Sequence, residues 1–375
     1  VGSVRKAVIG ELLRAFGDST QVLSLFADLD RSKRGPREMA LELKNLYREA
    51  LELCPEGRRE ALSGLERALS PYVGGVAEEF PRGLAVFVDL DSGRTSELAL
   101  PAPVPSQVVL RGRPYLTPLL ATLTPFRRTL IAVVSPKRSA FFSFEGGRMR
   151  LLEAVEREDV PRKVKSSGWY GLKDRRIERW VEQQLLDHFK ALAALTVERA
   201  SDGDFRRVAV GGSPENASLF FELIQPVLSP LGAEALVLEE LGEVFDPLAV
   251  ESVYLERSMR DFWEEGERAV ASVMESPLSA RGLRGVVRAL NYRAVHQLVV
   301  GEPYRARGVM CPSCGTLGLD EEECSGCGGS AVLVDDLLEE MIHLALAQNA
   351  DVMVLGRPTL LREHDEVGAL LRFEV

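Results

Sequence analysis

The chain has 375 residues, with 46 Lys and Arg against 56 Asp and Glu, a net charge of −10 and an apolar fraction of 46%. That balance excludes general disorder and a surface that is basic throughout. There is no run of 18 or more apolar residues to suggest a membrane span. The length suggests two or three domains, and the opening residues lack signal-peptide order, which favours the cytoplasm.

The chain opens with a helical pattern, then an apolar run over 22–26 that places Val22, Ser24 and Phe26 on one face of a strand. A polar loop over 28–35 exposes Arg31, Lys33 and Arg34. Pro36 suits a helix start. Met39, Leu43, Leu46, Tyr47, Ala50 and Leu51 continue with helical spacing to about residue 53. Cys54-Pro55-Glu56-Gly57 breaks that helix, and a second is expected over 58–70, stopped at Ser70-Pro71. The pair makes a helical hairpin with a short tip. Strands follow at 84–88 and 95–100, with a turn at Asp91-Ser92-Gly93. A Pro-rich extended stretch at 101–105 comes near the end of a first domain, 1–126.

A second domain, 127–267, opens with strands at 129–134 and 140–144, a turn at Glu145-Gly146-Gly147, and a return strand at 149–153. A long helix over 174–200, a strand at 208–212, a helix at 216–228 and a strand at 235–238 follow. Alternating strands and helices imply a parallel or mixed sheet covered by helices. A helical linker over 247–274 leads to a third domain, 268–375, with helices at 283–290 and 335–348 and strands at 297–300, 352–355 and 370–375. The expected class is α/β multidomain: three domains, with mixed sheets and packed helices.

The strongest motif is Cys311-Pro312-Ser313-Cys314-Gly315 followed by Cys324-Ser325-Gly326-Cys327-Gly328. Two such knuckles let four thiolates converge on one ion, and the glycine after each frees backbone N–H groups to point at sulfur. A closed four-sulfur shell suits structural Zn2+, since no position is left for water. A metal-free or redox ribbon and an iron–sulfur cluster are the alternatives. Cys54, at a helix end, reads as a core or boundary thiol.

Residues 161–179 carry seven bases, Arg162, Lys163, Lys165, Lys173, Arg175, Arg176 and Arg179. Between them lie Ser167, Gly168, Trp169 and Tyr170. Glycine, adjacent aromatics and clustered positive charge suit contact with an RNA backbone and its bases. The alternative is a solvated loop whose Trp169 packs on its own domain. Arg31, Lys33 and Arg34 form a second, weaker basic patch.

Signals for catalysis are sparse. Gly211-Gly212-Ser213-Pro214 lacks dinucleotide-binding spacing and reads as a tight strand-to-helix turn. No nucleophile is evident beside His188, His296, His343 or His364. Asp335-Asp336 and Glu339-Glu340 read as a helix N-cap with first-turn acids.

The order of these parts resembles the archaeal and eukaryotic peptide-chain release factor 1/Pelota superfamily, including its bacterial members. The resemblance spans nearly the whole chain. It is carried by the hairpin Phe142-Ser143-Phe144-Glu145-Gly146-Gly147, the basic approach to a long helix, and Gly282-Leu283-Arg284-Gly285-Val286-Val287-Arg288. It continues in Ala294-Val295-His296-Gln297-Leu298-Val299-Val300, the cysteine insert, and Asp335-Asp336-Leu337-Leu338-Glu339. It implies a release-factor N-terminal-like domain at 1–126, a middle-like domain at 127–267, and an L7Ae-like domain at 268–375 with a zinc-ribbon insert at 308–330.

Release factors carry Gly-Gly-Gln on the middle-domain loop, whereas 165–173 here reads Lys-Ser-Ser-Gly-Trp-Tyr-Gly-Leu-Lys. They also carry Asn-Ile-Lys-Ser at the hairpin tip, where Leu53-Cys54-Pro55-Glu56-Gly57 stands. The resemblance thus implies a factor that occupies the ribosomal A site in hibernation or rescue without reading stop codons, as Pelota-like rescue proteins and Balon-type hibernation factors do. The implied partners are the 70S ribosome, through 23S and 16S rRNA, and elongation factor Tu or another translational GTPase. The protein is expected to be monomeric and to use no membrane. An altered-loop peptidyl-tRNA hydrolase and an RNA- or protein-binding module outside the A site are the alternatives.

Overall fold

Helix α1 (Ser3–Ala15) leads into strand β1 (Val22–Asp28), whose alternation feeds two cores at once. Val22 and Phe26 meet Ile9, Leu12 and Phe16 of the α1 region, while Leu23, Leu25 and Ala27 meet α2 (Pro36–Leu53) and α3 (Ser63–Val73). A 3₁₀ turn, Glu56–Leu62, joins those two helices. Contrary to the expected stop, α3 continues through Pro71. Proline sits there in the last turn, where its missing N–H forfeits one hydrogen bond and little helix remains to be broken. Strands β2 (Gly83–Asp89), β3 (Thr95–Leu100) and β4 (Gln107–Arg111) complete an antiparallel sheet ordered β3-β2-β1-β4, and α4 (Thr117–Leu123) follows.

The structure, a computed structural model, describes residues 3–31, 34–76, 81–123, 125–145, 148–157, 171–301, 305–357 and 359–375, with backbone alone for 3–7 and 171–178. The chain divides into two compact units, residues 126–258 and residues 1–125 with 259–375.

In the 126–258 unit, β5 (Thr129–Val134), β6 (Arg138–Glu145) and β7 (Arg148–Glu156) form an antiparallel meander. Helix α5 (Gly171–Asp202) carries the chain to β8 (Arg207–Gly212), parallel to β5; α6 (Pro214–Leu228) carries it to β9 (Glu234–Val237), parallel to β8. The sheet, β7-β6-β5-β8-β9, is therefore mixed. Phe189 and Leu192 of α5 and Phe220 and Ile224 of α6 cover one face. Val250 and Tyr254, early in α7 (Pro247–Glu275), cover the other. The β8-to-α6 turn is as tight as its glycines suggest: Gly212 has φ 155, and Ser213 caps α6 by accepting from Asn216 N at 3.4 Å.

The remaining elements are β10 (Ser279–Arg281), α8 (Gly282–Asn291), β11 (Val295–Gly301), β12 (Gly308–Met310), β13 (Leu317–Gly318), β14 (Val332–Val334), α9 (Leu337–Ala347), β15 (Asp351–Leu355) and β16 (Val367–Leu371). The sheet β10-β16-β11-β15 pairs β11 with β15 in parallel and is otherwise antiparallel. Its last strand lies at Val367–Leu371 rather than 370–375, because a turn with positive φ at Asp365 and Glu366 starts it early and Val367 pairs with Val300. Helices α8 and α9 pack through Val286, Leu290, Met341 and Ile342 into the same core as Leu116, Leu119 and Leu120. Phe262, Val270 and Val273 of α7 pack with Val299 and Met353 in a separate core. Among the described residues this is a mixed α/β, multidomain fold with four sheets and nine α-helices. No described helix is long and apolar enough to cross a membrane.

Candidate metal centre and basic segments

The two cysteine knuckles fold alike. Cys311 N donates to Thr316 O at 2.9 Å and Gly315 N to Cys311 O at 2.8 Å; Cys324 N donates to Gly329 O at 2.7 Å and Gly328 N to Cys324 O at 2.9 Å. Gly315 and Gly328 have φ 74 and 72, the left-handed conformation in which glycine avoids the Cβ clash. A three-stranded sheet, β13-β12-β14, carries the insert. Asn291 of α8 pins it by donating to Leu317 O at 2.7 Å and accepting from Leu317 N at 3.0 Å.

The result brings the four sulfurs within 4.8 Å of one another. Cys311 Sγ lies 3.5 Å from Cys327 Sγ, and Cys314 Sγ lies 3.4 Å from Cys324 Sγ. A tetrahedron of metal–sulfur bonds near 2.3 Å requires about 3.8 Å between sulfurs. Gly326 N donates to Cys324 Sγ at 3.3 Å, as expected of a knuckle. Burial works against ionisation of Cys324, but the N–H groups of Gly326 and Cys327 outweigh it and bring the thiol down to about 6. At Cys327 the helping Gly329 N–H is overcome by crowding from Cys311, Cys314 and Cys324, which pushes the thiol up to about 12. Four thiolates this close repel one another unless a cation shares them. The cluster can hold a metal ion, and its closed all-sulfur donor set leaves the ion no open position.

The basic segments divide differently. Arg31 is exposed, while Arg34 pairs closely with Glu42 and lies 3.8 Å from Asp28. Lys33 is outside the described residues, as are Arg162, Lys163, Lys165, Ser167, Gly168, Trp169 and Tyr170. Lys173, Arg175 and Arg176 fall in the first turns of α5, described in backbone only. Among the predicted site residues, the structure therefore assembles the four cysteines. His188 is half-buried, with its basicity reduced by burial and by Arg157. Cys54 is buried and its thiol is pushed up by that burial.

Sequence reasoning placed Asp336 and Glu339 at a helix start but did not find what Glu339 does. Asp336 is the N-cap of α9, accepting from Glu339 N at 3.3 Å. Glu339 itself is buried and accepts from Leu116 N at 2.5 Å, Thr117 N at 3.1 Å and Thr117 Oγ1 at 2.6 Å. His343 Nε2 lies 2.9 Å from Pro114 O and 3.3 Å from Glu339 Oε1. Burial alone would raise the Glu339 carboxyl, yet hydrogen bonding and charge from His343, with the Thr117 and Leu116 donors, hold it below the usual carboxylate range. Arg111 pairs with Asp336 at 3.3 Å, and Arg113 pairs with Glu340. Glu–Glu spacing in the sequence hinted at a helix start; the partners, more than 200 residues away in the chain, left no local mark.

The fold thus defines a mixed α/β protein with a four-cysteine insert. Residues 114–249, most of the unit bearing the five-stranded sheet, match the family model described as bacterial archaeo-eukaryotic release factor family 10. Over that stretch the match is to a bacterial release-factor-like family, in line with the resemblance read from the sequence. No curated protein matches the chain. Among solved structures, the archaeal translation termination factor aRF1 is 18% identical over 98% of this chain and 98% of its own, with a TM-score of 0.26. Archaeoglobus fulgidus Pelota is 13% identical over 78% and 80%, with a TM-score of 0.32, and S. cerevisiae Dom34 is 9% identical over 78% and 79%, with a TM-score of 0.38.

Proposed function

We propose that this chain is a ribosome-binding factor that occupies the A site in hibernation or rescue and does not read stop codons. The observation that carries this reading is the release-factor family match over residues 114–249. Within that stretch the loop that would carry Gly-Gly-Gln reads Lys165-Ser166-Ser167-Gly168-Trp169-Tyr170, with no glutamine to orient water. In its place are clustered bases and two adjacent aromatics, a composition suited to rRNA backbone and base contacts.

On this reading the three-domain division at 126/127 and 267/268 is functional. The first domain faces the decoding centre and 16S rRNA. The 161–179 segment reaches along 23S rRNA, and the L7Ae-like third domain contacts elongation factor Tu or another translational GTPase. The cysteine insert is a zinc ribbon: Cys311, Cys314, Cys324 and Cys327 would hold Zn2+, which would supply folding energy to an insert with little core of its own. The factor works in the cytoplasm as a monomer, in stressed cells.

The test is co-sedimentation with vacant 70S ribosomes across a salt series. The wild type is expected to pellet with ribosomes, with affinity falling as salt rises. Charge reversal at Arg162, Lys163 and Lys165 should weaken pelleting and flatten the salt slope. Equal pelleting by the reversed variant would remove RNA contact from this segment, and wild-type protein that stays in the supernatant at low salt would refute ribosome binding.

A further inference from the structure

Residues 111–117 form a joint between parts of the chain that are far apart in sequence. On one side, Tyr115 N donates to the buried hydroxyl of Ser24 in β1 at 3.0 Å. On the other, the next two peptide N–H groups and the Thr117 hydroxyl all end on one carboxylate, Glu339 of α9. Pro114 O meets His343, one turn further along α9. The flanking arginines complete the contact: Arg111 reaches the half of the α9 N-terminus that carries Asp336, and Arg113 reaches Glu340. The guanidinium of Arg111 also lies 5.3 Å over the Tyr115 ring. Beneath the polar contacts, Leu116, Leu119 and Leu120 share one core with Met341, Ile342 and Val354.

We propose that the first turns of α9 are a docking surface for an Arg-x-Arg-Pro-Tyr-Leu-Thr segment, filled in cis by residues 111–117, with Glu339 as the staple that makes 1–125 and 259–375 a single body. The chemistry is that of recognition. A carboxylate removed from water accepts three donors from two consecutive residues, so it selects backbone geometry as well as side chains. Two flanking acids, the buried Asp336 and the half-buried Glu340, select arginines two positions apart. The apolar contact supplies the bulk of the attraction, and the buried carboxylate supplies register, because a shifted segment would leave it unpaired. One consequence is mechanical: a partner that grips the α2–α3 hairpin also positions the cysteine insert, since both belong to this body.

The experiment severs the backbone and asks whether the joint holds. A sequence-specific protease site is placed at residue 124 of the full chain, the protein is cut after folding, and the pieces are run on size-exclusion chromatography over a dilution series. The cut wild type is expected to elute as one species. Glu339→Ala, cut in the same way, should release the N-terminal piece with an apparent dissociation constant raised about 100- to 4,000-fold. Thr117→Val, which keeps both peptide donors and the carboxylate, should raise it only severalfold. Circular dichroism of each uncut variant separates loss of the joint from loss of fold. Cut wild-type pieces that separate while retaining secondary structure would overturn the proposal, and so would Glu339→Ala pieces held as tightly as wild type.

Discussion

Replacing Glu339 by alanine should destabilise the 1–125/259–375 unit more than removal of its neighbour Glu340. The carboxylate is 1% exposed and accepts three hydrogen bonds of 2.5, 3.1 and 2.6 Å. Alanine leaves the Leu116 and Thr117 N–H groups and the Thr117 hydroxyl without an acceptor in a site closed to water. Each stranded donor costs about 1–3 kcal/mol. They share one acceptor and are not additive, so a total of about 3–5 kcal/mol is expected, as for one partner removed from a buried charged pair. At about 2–4 °C per kcal/mol for a unit of this size, melting should fall by roughly 6–20 °C. Glu339→Gln keeps an acceptor oxygen and the volume and should lose about half as much. Glu340→Ala, which loses only an exposed partner, Arg113, should lose less than about 1 kcal/mol. Urea unfolding followed by near-ultraviolet circular dichroism would report the differences. A Glu339→Ala loss below about 1 kcal/mol would refute the reasoning, because it would mean the donors find water when the carboxylate leaves.

Other outcomes follow from the same structure. Because the Glu339 carboxyl is held below its usual value, its contribution is present above an unfolded carboxyl value of about 4.3 and is lost as pH falls through the folded value. Asp336, pushed up by burial against the pull of Arg111, works in the opposite sense. Wild type compared with Glu339→Gln isolates the first term, so the variant should show the shallower acid denaturation. At Gly212, φ is 155 and an added Cβ would sit 2.6 Å from Val134 O. Gly212→Ala should therefore cost the 126–258 unit more than the roughly 1 kcal/mol expected of Gly315→Ala, where only the backbone conformation objects. Thermal melts rank the two. Tyr254→Phe removes a hydroxyl placed 2.6 Å from Arg127 O and 2.7 Å from Thr129 Oγ1, a loss of about 1–2 kcal/mol in urea unfolding. Elemental analysis should find one zinc per chain, released on acidification as the thiols take up protons and absent from Cys324→Ser.

Much of this fold is legible locally. The strands at 22–26, 84–88 and 129–134 are buried on both faces, so they read as nearly continuous apolar runs; the polar exceptions, Ser24 and Thr129, are themselves buried and hydrogen-bonded. The cysteine cluster was readable from spacing alone, because a metal knuckle is a local device that needs only two ligands and a glycine in fixed order. The stretch 107–123 was not readable. Strand β4 is five residues long after a proline-rich run. Helix α4 is seven residues long and has Pro118 inside it, too short and too apolar to show a period. The N–H groups at its start are satisfied by Glu339, from 222 residues away, and no window of sequence contains both. Pro71 misled for a related reason: a proline ends a helix in isolation, but it is tolerated where the helix is ending already and Leu65, Ala68 and Leu69 hold it to the sheet.

The most direct test of the account is cryo-EM of the full chain mixed with vacant bacterial 70S ribosomes, with and without elongation factor Tu. The account predicts density in the A site, with the α2–α3 hairpin at the decoding centre and residues 165–173 beside 23S rRNA near the peptidyl-transferase centre. Vacant A sites, under conditions in which the added protein is folded, would contradict it.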